Sequence, residues 1–314
     1  KQWGNYFAIA NSGLEIQLKG ILIRKENVDW TLTFNIARNW NRLKKSTWGR
    51  DFQTARIGFV SAPSNINVIG KPLNGILAYR TDGVYQNDNE VPFCYINGRK
   101  RPLGVGSLFY RAGDRIILDY DGNGRIGTSL PLEEDRVYCG SPLPIAQGGI
   151  VSTLNWKGFD LNLLFNYVIG RHILNAGKGA SLGTYMSAFE KELTKPVFAD
   201  LSKVSFWQKP GDRADYPANR LEDGLMNFST YLSSNIEKVS YLKLKTLTLG
   251  YTLPVKWKEK LGFGARIFIS AENLFTITNY SGPDPESVDI ITGVDNLTNY
   301  PLATRVTFGL TLKL

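Results

Sequence analysis

Histidine, methionine and cysteine are scarce in this chain of 314 residues, with one, two and two of each. The single histidine, His172, has no nucleophile motif beside it and reads as a loop residue rather than a triad member. Cys94 and Cys139 are too few for a disulfide scaffold and have no metal-ligand spacing. Export would let them pair, but nothing in the sequence fixes their separation. No apolar run approaches the ~18 residues of a membrane-spanning helix. That excludes helical spans only, because barrel strands cross with ~9–11 residues of alternating polarity. An initiator Met and a signal peptide are also missing ahead of Lys1, so a processed N terminus or a piece of a longer polypeptide is expected.

What is abundant favours strands and turns. Aromatics make up 12% of the residues and there are 31 glycines, a mix suited to β structure. The net charge of +9 has two readings. One is an anionic partner, such as lipid A phosphates or an acidic substrate; the other is an incomplete polypeptide whose acidic parts lie elsewhere. No compact basic-aromatic module points to nucleic acid.

Period-two alternation recurs along the chain. In residues 28–40, Val28, Trp30, Leu32, Phe34 and Ile36 alternate with Asp29, Thr31, Thr33 and Asn35. In 158–169, Phe159, Leu161, Leu163, Phe165, Tyr167 and Ile169 form one face, opposite Asp160, Asn162 and Asn166. In 304–314, Val306, Phe308, Leu310, Leu312 and Leu314 alternate with polar or small residues. Each predicts a strand with one apolar and one polar face. Strands are also predicted over 13–24, 148–156, 236–253 and 264–275. Within 236–253, Leu242 and Leu244 have the opposite parity from Leu247, Leu249 and Tyr251. Either a bulge shifts the phase or the early part stands outside a membrane.

Short connections near 25–27, 157–158 and 254–263 alternate with long ones over 41–147, 170–235 and 276–303. Outer-membrane barrels alternate periplasmic turns and extracellular loops in this way. Trp30, Trp156, Phe159 and Tyr251 lie beside the short turns, where an interfacial aromatic girdle belongs. A soluble or surface β-sandwich that binds glycans has the same one-faced alternation and is the alternative. Seven strands cannot close a bacterial barrel, whose strand number is even, so the outermost two need partners beyond this sequence.

Several stretches carry a family resemblance: NSGLEIQL at 11–18, GKPLNGILAYRTDGVYQ at 70–86, GDRIILDYDGNGRI at 113–126, NWKGFDLNLLF at 155–165, and YLKLKTLTLGYTLP at 241–254 followed by AENLFTIT at 271–278. In their order and spacing the chain resembles the C-terminal part of a SusC/RagA-type TonB-linked outer-membrane transporter of the Bacteroidetes. The resemblance implies an all-β fold, the C-terminal strands of a transmembrane antiparallel barrel of the 22-strand class, and no enzymatic activity. It implies import of a glycan oligosaccharide or peptide, with a SusD-like surface lipoprotein as lid. Other implied partners are the remainder of the barrel, the N-terminal plug, the TonB complex and outer-membrane lipid.

Candidate sites lie in the long loops. Asp119, Asp121 and Asn123 occupy the first, third and fifth places of an EF-hand-like loop, with Gly124 at the sixth. Oxygen donors at that spacing suit a structural Ca2+. The ninth and twelfth places are Gly127 and Leu130, so the bidentate carboxylate is missing there, with Glu133, Glu134 and Asp135 the candidate substitutes slightly further on. A metal-free Asn-Gly turn is the other reading. Phe93, Tyr95, Phe109, Tyr110 and Trp207 are placed to stack on sugars, to hold a partner, or simply to pack their loops. Asp284 and Glu286, flanked by Pro283 and Pro285, read as a rigid solvated loop rather than an acid/base pair.

Overall fold

A computed structural model describes residues 7–46, 52–53, 65–96, 98–127, 135–178, 205–218, 220 and 225–313. Leu130, Glu133, Glu134 and Leu314 fall outside these. One large sheet dominates. Its path strands are β1 (Phe7–Lys25), β2 (Val28–Ser46), β3 (Ala146–Trp156), β4 (Phe159–Asn175), β5 (Ile236–Thr252), β6 (Gly264–Thr278) and β7 (Arg305–Lys313), joined in chain order as an antiparallel meander. Each expected strand segment overlaps one of these; β1, β2, β3, β4 and β6 run further than expected, whereas β5 stops at Thr252 and β7 begins at Arg305. The fold is all-β and antiparallel.

Local chemistry explains the tight ends. Residues 157–158 join β3 to β4 with both φ angles positive, 47° at Lys157 and 89° at Gly158. That is the twist-matched two-residue hairpin, which needs a residue tolerant of the left-handed region. The connection after β5 differs from a plain turn: it contains a short helix, α1 (Val255–Leu261).

Strand register sorts side chains into two faces. Trp30, Leu154, Leu161, Leu249, Ile269 and Phe308 line up across six strands. The adjacent row on the other face is Thr31, Thr153, Asn162, Thr248, Ser270 and Thr307. The phase change in β5 is a bulge. Leu164 pairs with Thr246 but Phe165 with Leu244, so Lys245 is passed over. Leu244 then pairs with Phe275, which keeps it in the apolar row despite its parity.

The apolar face is not a protein interior. Phe308 is 79% exposed, Leu310 62% and Leu18 62%. A β-sandwich buries that face against a second sheet; no other described sheet has more than four strands, and all of those strands are short. At the short-turn end, Trp156, Phe159 and Tyr251 form an aromatic run, with Trp156 stacked on Phe159 at 6.2 Å between centroids and Phe159 tilted against Tyr251 at 4.5 Å.

The long connections are not simple loops. Tyr79, Tyr85, Val91, Leu103, Tyr110, Ile117, Ile126 and Leu232 form a packed core beyond the long-loop end of the sheet. A short sheet built on Gly75–Tyr79 flanks it. Two of the long connections thus fold into one lobe.

Gly250 marks a tight point on the polar face. Arg266 donates to Asp160 at 2.9 Å across it, and a Cβ there would meet the Asp160 carboxylate at 2.5 Å. Gly250→Ala is expected to displace this ion pair and destabilise the sheet by about 1–3 kcal/mol, measurable as a lower urea midpoint in detergent.

Candidate functional site

Two regions hold the chemistry: the Asp-rich loop of the lobe, and the polar face beneath the connection between β6 and β7.

In the Asp-rich loop, Asp119 accepts from the N–H groups of Gly122 and Gly124 at 2.9 and 2.8 Å. Asp121 accepts from the Asn123 N–H at 2.9 Å and from its side-chain amide at 2.6 Å. The Asn123 oxygen accepts from the Arg125 N–H at 2.8 Å, so in this arrangement Asn123 braces Asp121. Asp135 enters from beyond the spacing pattern. It is 1% exposed and accepts from the N–H groups of Tyr120 and Gly127 at 2.8 and 2.7 Å. Single oxygens of Asp119, Asp121 and Asp135 lie within 4.8 Å of one another. Three carboxylates gathered this closely repel. Burial first, and then Asp121 and Asp135 beside it, push the Asp119 carboxyl above its ordinary value despite its two backbone donors. An all-oxygen anionic donor set of this kind fits a hard divalent cation.

Gly124 serves two ends. Its φ is +80°, and a Cβ would lie 2.4 Å from that of Cys94. Cys94 donates to the Gly124 carbonyl at 3.1 Å. This contact docks the hairpin of Phe93–Ile96 and Arg99–Pro102 onto the Asp-rich loop. Cys94 and Cys139 are both free thiols. Phe93 (54% exposed), Tyr95 (74%) and Tyr120 (62%) line one cavity of about 840 Å3 together with Asp119 and Asn123. Lys100 covers the Phe93 ring at 4.5 Å.

The other loop aromatics are placed differently. Tyr110 is 3% exposed and donates to the Leu225 carbonyl at 3.0 Å. Trp207 is 9% exposed and donates to Gln86 at 3.1 Å. Both pack the lobe and present no ring face to a ligand. Phe109 is half-buried beneath Arg101. Tyr120 was missed by sequence reasoning; its place between two metal-type aspartates was the available signal.

The connection between β6 and β7 folds back onto the polar face rather than standing in solvent. Tyr280 and Val288 pack on Ile173 and Val239. Tyr280 donates to Asp295. Lys243, almost fully buried, donates to Asp284 at 2.8 Å and pairs with Glu286 at 2.9 Å. Asp284 and Glu286 are therefore not a solvated loop. They are counter-ions to a strand lysine, with Lys245 also on Glu286 at 3.0 Å. Burial raises the Asp284 carboxyl, but the Lys243 ammonium and the Glu286 N–H outweigh it and hold it below its ordinary value. His172 belongs to β4 and not to a loop, because that strand continues to Asn175 past an irregularity between Val168 and Arg171. Its ring packs on Gly140, and no nucleophile is hydrogen-bonded to it among the described residues.

A sheet with one exposed apolar face, one polar face and an infolded connection defines the wall of a transmembrane β-barrel. The comparisons narrow the class. No family model matches the chain. It is 29% identical over 293 residues to TonB-dependent receptor P3 of Formosa agariphila, covering 90% of this chain and 26% of that protein. It is 25% identical over 323 residues to TonB-dependent receptor SusC of Bacteroides thetaiotaomicron, covering 98% and 27%. The RagAB peptide transporter structure aligns with all of this chain and 30% of its own at a TM-score of 0.66 and 22% identity. The chain thus spans about a quarter to a third of the length of these relatives. Along 90–98% of its length the chain is thus similar to TonB-dependent receptors, SusC among them, and it shares its fold with the RagAB peptide transporter.

Removing one partner of the buried pair tests the infolded connection. Lys243→Met leaves Asp284 buried without its counter-ion, at a cost of about 3–5 kcal/mol. The expected readout is new protease cleavage within residues 279–303 in otherwise folded protein. An unchanged digest would mean that other contacts hold the connection.

Proposed function

We propose that this chain forms barrel wall and extracellular lobe of an outer-membrane transporter that imports a nutrient, a glycan oligosaccharide or a peptide, in a TonB-dependent manner. The carrying observation is the sheet's exposed apolar face opposite a polar one, at full register across six strands. Hydrocarbon meets Leu18, Phe308 and Leu310, while the rows of Thr, Asn and Ser face a watery or plug-filled lumen. β1 and β7 each have one neighbour among the described residues. In a bilayer their outer backbone groups need further strands. The receptor and transporter names of the relatives support the import reading.

The lobe is the contact region for substrate and for a SusD-like surface lipoprotein. Phe93, Tyr95 and Tyr120 supply exposed aromatic surface there, a residue type favoured where partners or sugar rings are held. The partner complex and the substrate class are parts of this proposal, supported by the RagAB likeness.

Asp119, Asp121 and Asp135, with Asn123 as brace, would hold a structural Ca2+ that ties the aromatic hairpin to the lobe core. The ion would supply charge neutralisation and no catalysis. Because the folded-state value of Asp119 is raised, the native lobe binds protons more tightly than the unfolded chain. Its contribution to stability therefore falls as pH rises above the ordinary carboxylate range. Added Ca2+ is expected to raise the Tm at neutral pH and to do little once Asp119 is protonated in acid. Asp121→Asn should weaken the effect. A Ca2+-independent Tm at pH 7 removes the metal from the account.

The wall assignment has its own test. Leu310→Arg should cost about 2–4 kcal/mol near the midplane, whereas Thr307→Arg should be mild. Outer-membrane assembly and urea midpoints of the two variants give the comparison. Equal effects would reverse or abolish the assigned faces. For the function itself, deletion of the gene should abolish growth on the imported nutrient, and the protein should fractionate with the outer membrane.

A further inference from the structure

A cavity of about 710 Å3 opens on the polar face of the sheet, between β2–β5 and the infolded connection. Its lining includes Asn35, Asn39, Asn166, Tyr241, Lys245 and Arg171, and none of the described residues lining it is acidic. Arg171 is 3% exposed. Its Nη2 donates to the Asp289 backbone carbonyl at 3.0 Å, while its Nε is buried and has no hydrogen-bond partner among the described residues. The Asp289 carboxylate is itself engaged by the Ile291 N–H and the Thr292 hydroxyl at 2.9 and 2.7 Å. Among the described residues the guanidinium thus has one neutral acceptor and no ion pair, the Asp289 carboxylate acting on it only at longer range, and it meets almost no water.

This arrangement contrasts with its neighbour two register steps away. Lys243 is equally buried but is met by Asp284 and Glu286. The β4 irregularity between Val168 and Arg171 brings Arg171 opposite Val239, on the same face of β5 as Tyr241 and Lys243. A buried guanidinium that no carboxylate meets directly is costly, and a planar carboxylate matches its donor fork. Surrounding side-chain amides and a phenol add neutral hydrogen-bonding groups.

We propose that Arg171 is the anchor of a carboxylate-binding subsite in the transport path, selecting nutrients that carry a carboxylate. The proposal rests on the import reading above. A carboxylate reaches such a site from an acidic sugar or from a peptide C terminus, and the test separates the two.

Binding is measured on the full-length transporter, purified in detergent, with two probe pairs. One pair is an oligogalacturonate and its carboxyl-reduced form. The other is tetra-alanine and its C-terminal amide. The wild type should bind the carboxylate member of at least one pair about tenfold or more tightly than its neutral counterpart. The pair that discriminates identifies the source. Arg171→Gln should erase that preference, bringing the two members of the discriminating pair to equal affinity. If Arg171→Gln does not assemble, Arg171→Lys keeps the charge, loses the planar fork, and should lose part of the preference.

Three results overturn the proposal: no discrimination in either pair by the wild type, a preference that survives the substitution undiminished, or a preference that appears only after the plug is deleted. The last would assign Arg171 to a carboxylate of the protein itself. Failure of the import reading is seen separately, as a wild-type protein absent from the outer membrane.

Discussion

Hydrocarbon offers a backbone N–H or C=O no partner, and the rest of this structure follows from that constraint. A chain that crosses as strands must pair every one of them side by side. The seven path strands pair in chain order as one antiparallel sheet, broken only by local register shifts, with the outer edges of β1 and β7 unpaired among the described residues. Pairing fixes register, and register fixes which side chain meets which medium. The bulge at Lys245 shows how strongly the faces are held. The ladder skips a residue in β5 so that Leu242 and Leu244 join the same apolar face as Leu247 and Leu249.

Outside the membrane the constraint is lifted, and ordinary globular packing takes over. The long connections gather a core of tyrosines and aliphatics, with Asp114 buried against Arg220 and Asn227. The connection between β6 and β7 turns inward instead, pinned by Lys243 to the polar face. It narrows the space above the sheet and forms one wall of the cavity at Arg171. The lobe carries exposed aromatic surface and the infolded connection borders a basic, amide-lined recess. Under the import proposal, capture and passage would meet different chemistry on one chain.

The strands were legible because period two is a local signal. Val306, Phe308, Leu310 and Leu312 declare their face without knowledge of any neighbour. Strand length was less legible: β4 runs on to Asn175 and carries His172, since its upper end is held by contacts distant in sequence, such as Leu174 with Gly293. The metal-type spacing of Asp119 and Asp121 was readable, but the part played by Asp135 needed the fold that returns it beside Tyr120 and Gly127. Tyr110 and Trp207 look like any loop aromatic in the sequence, and only the lobe core decides that they are interior. Asp284 and Glu286 read as solvated because their partner, Lys243, lies 41 residues earlier.

The central claim is that the apolar face meets lipid. Spin labels at Phe308→Cys and Thr307→Cys, in the full-length protein reconstituted in a bilayer, address it directly. Accessibility to oxygen, which concentrates in hydrocarbon, should be high at position 308, and accessibility to a water-soluble paramagnetic reagent should be low there. The account predicts no such signature at 307. Low oxygen accessibility at 308, or equal profiles at the two positions, would contradict it.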